Sequence, residues 1–203
     1  MFQDLHIFDV HAHFPIKGDV TQGGGRSFRT RETGEIENPA VADRLAIRNE
    51  RLAQTRKQWR MAFDFPEPEK EPASSEVQAE RWVQELDKYG IERIGFVTGR
   101  DNDELARVVQ MHPDRFVGFA HHDITLPNAA SELERAARTL GLRGLKQLGP
   151  TMPMAINDPS LYPVWEVCER LGLPVLIHFG MLGAAGGVSY HVNMSPAILE
   201  PVA

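Results

Sequence analysis

The sequence contains very little cysteine and no long run of apolar residues. Its one cysteine, Cys168, excludes an intramolecular disulfide. Because Cys168 lies in the apolar pattern of a predicted helix, we expect a buried, unreactive thiol rather than a nucleophile. No stretch of about 18 or more apolar residues occurs, so the sequence predicts no membrane-spanning helix.

The chain also lacks a signal-type N-terminus and an excess of basic residues. Its first residues, MFQDLHIFDV, contain no basic segment followed by a long apolar stretch, so we expect a cytoplasmic protein. The net charge of −6 argues against nucleic acid as the main partner. What the chain does have is enough apolar sequence, 42% of 203 residues, to bury a core. A soluble globular protein is therefore expected.

Five short segments have the composition of buried β-strands. In the first, Leu5–Phe14, β-forming residues run up to Pro15, and alternation places Asp9, His11 and His13 on one face. The other four predicted strands are Arg93–Thr98, Phe116–Ala120, Arg143–Leu148 and Pro174–Phe179.

Helical patterns with recognisable ends separate these strands. Ser75 is predicted to cap one helix, which runs through Tyr89 and is closed by Gly90, and Asn102 is predicted to cap the next. Two more stop at Gly141 and Gly172. Short strands that alternate with helices of about 10 to 15 residues predict parallel βαβ units, wound as a barrel or as an open sheet.

A long insertion follows the first predicted strand. Residues 15–74 exceed the usual loop of a few residues, and within them a helix is predicted over Pro39–Met61, capped by Asn38. The basic residues of this helix have two interpretations: a solvated charged face, or a lid whose guanidinium groups bind a substrate carboxylate. The arginines predicted to bind substrate are Arg51, Arg56 and Arg60.

Three histidines lie at predicted strand ends. His11 and His13, in D-V-H-A-H, point the same way because residues i and i+2 of a strand share a face. His178 ends the fifth strand in P-V-L-I-H-F-G. In a parallel α/β barrel the catalytic face is the carboxyl end of the strands, where all three would meet. Converging imidazoles at this face predict a site for a divalent metal ion.

Two further polar residues are predicted to line the same pocket. Lys146, on the fourth strand, is the candidate catalytic residue, since its ammonium group could bind a substrate carboxylate; a plain salt bridge is the other interpretation. His121 follows the third strand together with His122. It either binds substrate or belongs to the loop surface.

The motifs D-x-H-x-H-F, G-x-K at the fourth strand and P-V-x-I-H-x-G at the fifth resemble the amidohydrolase superfamily. More narrowly, they resemble the amidohydrolase-related group of metal-dependent hydrolases and decarboxylases. The resemblance implies an α/β fold of the TIM-type (β/α) barrel kind. It also implies one divalent ion, zinc in preference to manganese, bound by His11, His13 and His178.

The same resemblance implies a catalytic histidine after a sixth strand and a metal-binding aspartate after an eighth. The sequence after His178 offers neither, so we expect one partial barrel domain over residues 1–203, with only the first five strand-helix units. Residues 15–74 would be an insertion or lid within that domain.

The resemblance leaves three functions open. The first is a metal-dependent hydrolase of a small, carboxylated substrate, in which the ion activates a bound water. The second is a carboxy-lyase (a non-oxidative decarboxylase) or hydratase that acts on an aromatic or muconate-like acid. The third is a non-catalytic barrel fragment. In each enzyme reading the partner is a small molecule, neither nucleic acid nor a membrane is involved, and the full-length form is expected to be a homo-oligomer.

Overall fold

Parallel strands alternate with helices in a computed structural model that describes residues 5–15, 39–67, 73–97, 101–180 and 191–202. The strands in these ranges are β1 (Phe8–Ala12), β2 (Arg93–Phe96), β3 (Phe116–Gly118), β4 (Leu145–Leu148) and β5 (Val175–His178). The helices are α1 (Pro39–Ala62), α2 (Ser75–Tyr89), α3 (Asn102–Met111), α4 (Ala129–Arg138) and α5 (Tyr162–Leu171). Four short 3₁₀ turns cover Gly149–Thr151, Pro159–Leu161, His191–Met194 and Pro196–Leu199.

All described strand pairs are parallel, as the alternation predicts. β1, β2 and β3 form one sheet in that order, and β4 pairs with β5. A bridge between Ala120 and Leu145 joins the two sheets, and the amide of Lys146 donates to the carbonyl oxygen of Ala120 at 2.7 Å. Strands that are neighbours in the chain are thus neighbours in space, the arrangement of consecutive βα units. Within the described ranges no strand pairs with the outer edge of β1 or of β5.

β1 differs from the buried, regular strand that the sequence predicts. It lies at the edge of the described sheet, which leaves Phe8 and Val10 46% and 51% exposed. Its pairing is also irregular, because Asp9 lies opposite Ile94 and Ala12 opposite Phe96, so that three residue steps of β1 face two of β2. This bulge interrupts the strict alternation expected between Asp9 and the histidines.

The core lies between the strands and the helices that cover them. The Phe96 ring is completely buried, and its centroid lies 5.2 Å from that of Phe14, 5.3 Å from Trp82 and 5.0 Å from Phe116, each in an edge-to-face arrangement. Cys168 of α5 belongs to the same core, and burial raises the pKa of its thiol to about 11. The prediction of an unreactive, buried thiol is therefore confirmed.

In two helices the N-cap is the residue immediately before the predicted one. The cap of α2 is Ser74, whose hydroxyl accepts from the amide of Val77, and that of α3 is Asp101, whose carboxylate accepts from the amide of Glu104. In both places two good capping residues are adjacent in the sequence, so composition could not choose between them. None of the described helices is both long and apolar enough to cross a bilayer.

A series of ion pairs joins each outer helix to the next. We call it the arginine ladder, because an arginine of each following helix binds a carboxylate of the preceding one. Its members are Glu76–Arg107 (2.6 Å, α2 to α3), Asp103–Arg135 (2.7 Å, α3 to α4) and Glu134–Arg170 (3.0 Å, α4 to α5). These pairs are exposed to solvent, so each contributes little to the free energy of unfolding. Their effect lies in fixing how successive helices sit side by side.

Gly144, just before β4, lies where the backbone has no room for a side chain. An added Cβ would lie 2.5 Å from the Phe119 ring and 2.8 Å from the carbonyl oxygen of Pro174. We expect Gly144→Ala to lower the free energy of unfolding by about 1 to 3 kcal/mol, measured by urea denaturation. Gly180→Ala is the matched control, because its nearest contact would be an ordinary 3.7 Å. Equal stability of the two variants would contradict this account of β4 packing.

Candidate metal and substrate site

His11 and His13 form a close pair at the end of β1. Their ring centroids are 5.2 Å apart with the planes inclined at 49°, and both residues are exposed. The backbone amide of His11 donates to Asp9 Oδ1 at 3.0 Å, which holds the backbone at the bulge. Zinc–nitrogen bonds are about 2.0 to 2.1 Å long, so two rings at this separation can reach one ion if their nitrogens face each other.

His178 ends β5 and contributes an unsatisfied ring nitrogen. Its Nε2 is buried and has no hydrogen-bond partner. Burial, followed by the positive charge of Lys146, lowers the pKa of the His178 ring. The neutral imidazole that results is the form that binds metals, and a ligand would relieve the cost of leaving a buried polar atom unpaired.

Lys146 lies on the same face of the sheet as His178. In the β4–β5 pairing Lys146 is opposite Leu176 and Leu148 is opposite His178, so these four side chains point the same way. Lys146 is only 2% exposed, and burial lowers the pKa of its ammonium group to about 8. The pKa of His11 is lowered as well, first by burial and then by the charge of Lys146, with Asp9 acting in the opposite direction. The charge of Lys146 therefore acts on His178 and on His11 alike.

The chemistry of these residues fits a divalent ion, while their present spacing fits it only in part. Imidazole nitrogens are good zinc ligands. Within the ranges that the structure describes, however, no three side chains of His, Cys, Asp or Glu lie close enough together to hold one ion. A three-histidine site therefore requires His178 and the His11–His13 pair to approach each other.

His121 is not at the loop surface, contrary to one of the two interpretations of the sequence. It is only 4% exposed, and its backbone amide donates to Asn102 Oδ1 at 2.9 Å. Asn102 is itself buried and donates to Glu132 at 3.0 Å, so this residue fastens β3 to α3 and α4 instead of capping a helix. The neighbouring His122 is half-buried, and its Nε2 is paired with the carbonyl oxygen of Ala129 at 3.0 Å.

The described part of the insertion leaves two of its three predicted substrate-binding arginines exposed. Helix α1 makes no extensive contact with any other element that the structure describes. Arg51 and Arg56 are exposed, and Arg60 pairs with Glu67 at 3.3 Å. The predicted cap Asn38 and the rest of residues 16–38 lie outside the described residues.

Asn193 is a residue near the site that the sequence pattern did not reveal. It is completely buried in the turn His191–Met194. Its Oδ1 accepts from the amide of Ile156 at 2.8 Å, and its Nδ2 donates to the carbonyl oxygens of Gly149 at 3.0 Å and Met154 at 2.7 Å. Asparagine in a loop is ordinarily exposed, so nothing in the local sequence distinguishes this one.

An apolar groove lies away from the histidines. A space of about 770 Å³ opens between α5, β5 and the turn Pro196–Leu199, lined by apolar residues that include Trp165, Ile177 and Leu199. Ile177 points to the side of the sheet opposite to Lys146 and His178, because neighbouring residues of a strand alternate. This groove therefore belongs to the helix-facing side of the sheet and not to the candidate site.

Comparison with known proteins identifies the family. Residues 8–200 match the amidohydrolase family, so the chain belongs to it. The resemblance carried by the H-x-H pair and the fifth-strand histidine is thereby confirmed.

Two named relatives show which enzymes within the family are similar to this chain. The chain is 37% identical over 78 residues to 2-amino-3-carboxymuconate-6-semialdehyde decarboxylase of Dictyostelium discoideum, a match that covers 38% of this chain and 22% of that enzyme. It is 35% identical over 97 residues to γ-resorcylate decarboxylase of Rhodococcus jostii, covering 43% and 30%. Both relatives are decarboxylases, whereas hydrolysis was our first interpretation of the sequence.

A solved structure supports the fold. 5-Carboxyvanillate decarboxylase LigW from Sphingomonas paucimobilis matches with a TM-score of 0.54 and 21% identity, over 88% of this chain and 53% of that one. This likeness supports a TIM-barrel-like fold. The chain thus spans about half the length of that enzyme.

Proposed function

We propose that the chain contributes the metal-binding face of a divalent-metal-dependent carboxy-lyase. The substrate class is a small carboxylated aromatic or muconate-like acid. The observation that carries the proposal is the placement of His11, His13 and His178 at the carboxyl ends of β1 and β5, with the buried Lys146 on the same face of β4 as His178. Membership of the amidohydrolase family, with decarboxylases among the relatives, supports it further.

In this proposal the three histidines hold the ion, zinc in preference to manganese. An ion held there would supply electrostatic stabilisation for the negative charge that develops as the carbon–carbon bond to the carboxylate breaks. The bond's electron pair stays on the substrate carbon, which takes up one proton as CO₂ leaves. Packing alone has no need for three histidines at the carboxyl ends of strands, which argues against a non-catalytic barrel fragment.

Lys146 is assigned to the substrate carboxylate or to an adjacent ring oxygen. With its pKa lowered to about 8 by burial, the side chain remains largely protonated at pH 7. A cation held in a site of low dielectric constant attracts an anion more strongly than one in water. Lys146 therefore binds and orients the acid beside the ion.

The remaining parts of the proposal concern the insertion and the assembly. Residues 15–74 form a lid within the barrel domain in this proposal, and closure of the lid brings arginine side chains to the substrate. The lid residues concerned are Arg51, Arg56 and Arg60, and His121 is proposed to bind substrate as well. The full-length form is proposed to be a homo-oligomer.

The direct test is CO₂ release from 2,6-dihydroxybenzoate and from 5-carboxyvanillate in the presence of Zn²⁺ or Mn²⁺. In the full-length form we expect release that depends on the added ion and that ends when a chelator removes it. The unreactive control is 3,5-dihydroxybenzoate, whose carboxylate has no neighbouring hydroxyl group to chelate the ion. Cleavage of aromatic esters or lactones without any CO₂ would contradict the lyase and favour the hydrolase.

A further inference from the structure

We propose that Asn193 is a positioning residue that sets where Lys146 lies relative to His178. This inference rests on the proposed function, because the placement matters only if these two side chains share a site. Asn193 itself does not touch the ion or the substrate in this proposal. It acts by holding the segment that follows β4.

The amide of Asn193 holds three backbone groups of one loop. It donates to the carbonyl oxygens of Gly149 and Met154 and accepts from the amide of Ile156. These groups belong to residues 149–156, the loop that begins directly after β4, and Asn193 has no exposed surface. A buried side chain with three hydrogen bonds is expensive to remove, since each group that loses its partner stays desolvated.

The loop that Asn193 holds also packs against the backbone of the predicted ligand His178. A Cβ placed on Gly149 would lie 3.0 Å from the carbonyl oxygen of Asn193 and 3.1 Å from that of His178. Gly149 is therefore packed between the Asn193 turn and the end of β5 without space for a methyl group. Because Leu148 pairs with His178, a shift of Gly149 would displace the end of β4 along β5.

This displacement would act on the site through Lys146. Lys146 lies on β4 only three residues before Gly149, on the same face as His178. Asn193 holds Gly149, and the position of Gly149 fixes the end of β4. The Asn193 side chain therefore sets where Lys146 lies relative to His178.

Asn102 supplies a matched control for a purely structural effect. It is also a buried asparagine, 5% exposed, and its amide group also makes hydrogen bonds in both directions, to the amide of His121 and to Glu132. It fastens α3 and α4 near β3 and does not contact β4 or β5 in these bonds. Asn102→Ala is therefore expected to destabilise the fold while leaving the packing of Gly149 against Asn193 and His178 intact.

The experiment compares Asn193→Ala with Asn102→Ala in the full chain. We expect both to lower the thermal midpoint. In metal-free protein, only Asn193→Ala should shift the imidazole ¹H–¹⁵N resonances of His178. In a Co²⁺ titration followed by visible absorption, the same variant should bind about 10- to 100-fold more weakly, as is typical when a residue behind a metal ligand is lost.

Gly149→Ala provides a second variant that disturbs the same contact from the β4 side, in case Asn193→Ala does not fold. It should produce the same resonance shifts. Unchanged His178 resonances and Co²⁺ affinity in both variants, or equal changes in Asn102→Ala, would overturn the positioning role. Failure of the wild-type chain to bind Co²⁺ would instead count against the proposed function, and the metal-free resonances would still test Asn193.

Discussion

Replacing His178 with alanine is expected to abolish stabilisation of the protein by a divalent ion. A ligand that binds only the folded state raises the free energy of unfolding by about 2.7 kcal/mol when its free concentration is 100 times Kd. We expect this increment for the wild type in the presence of Zn²⁺. If the loss of one of three protein ligands weakens binding by at least about 100-fold, the increment falls to about 0.4 kcal/mol or less.

The same substitution should cost little in the absence of metal. The Nε2 atom of His178 is buried without a hydrogen-bond partner, so removing the ring also removes an unsatisfied polar atom. The measurement is urea denaturation with and without Zn²⁺. His6→Ala is the control, because the His6 side chain is 92% exposed and pairs only with Glu92 in the described structure. Equal zinc stabilisation of wild type and His178→Ala would remove His178 from the site.

Lys146→Met is expected to make the protein more stable and less active at neutral pH. Methionine has a similar length and carries no charge to desolvate. The difference between the ordinary lysine pKa of 10.5 and the lowered value of about 8 converts to roughly 3 kcal/mol. Partial hydration of the ammonium group reduces this figure, so we expect the free energy of unfolding to rise by about 1 to 3 kcal/mol at pH 7.

The pH dependence gives this prediction a second measurement. Between pH 8 and 10.5 the unfolded chain keeps Lys146 protonated while the folded chain releases the proton. The unfolded state then binds more protons, so the stability of the wild type rises with pH across this window. Below pH 8 both states keep the proton, so the folded state carries the full free-energy cost of burying the charge. The Lys146→Met variant lacks this contribution, and its advantage over the wild type should disappear by about pH 10.5.

Activity should change in the opposite direction from stability. If Lys146 binds the substrate carboxylate beside the developing charge, CO₂ release should fall by about 10²- to 10³-fold in Lys146→Met, the usual effect of removing one preorganised donor. Lys57→Met, on the exposed surface of α1, is the control and should change stability by less than about 0.5 kcal/mol. A destabilised Lys146→Met variant with full activity would mean that Lys146 is a structural salt-bridge residue.

Features that depend on local sequence periodicity could be predicted. The parallel alternation of strands and helices follows from short β-forming segments and from helices that end at Gly90 and Gly172, both of which adopt positive φ. The face shared by Lys146 and His178 follows from alternation along two regular strands. Each of these depends only on residues near one another in the chain.

Features that depend on distant partners could not be predicted. The exposure of Phe8 and Val10 reflects which elements cover β1, and a strand of this composition carries no signal of its neighbours. His121 is held in the interior by Asn102, 19 residues earlier, whose side chain accepts a hydrogen bond from the backbone amide of His121. Asn193 is buried because a loop 37 to 44 residues earlier encloses it. Amino-acid composition predicts none of these contacts.

The arginine ladder has a consequence for how the chain assembles. Its bonds span 31, 32 and 36 residues, the length of about one strand-helix unit, and each reaches only the helix immediately before. A unit leaving the ribosome therefore finds the carboxylate that its arginine requires already in place on the preceding unit. Coupling of this nearest-neighbour kind lets the outer layer grow from the N-terminus one helix at a time, without waiting for distant parts of the chain.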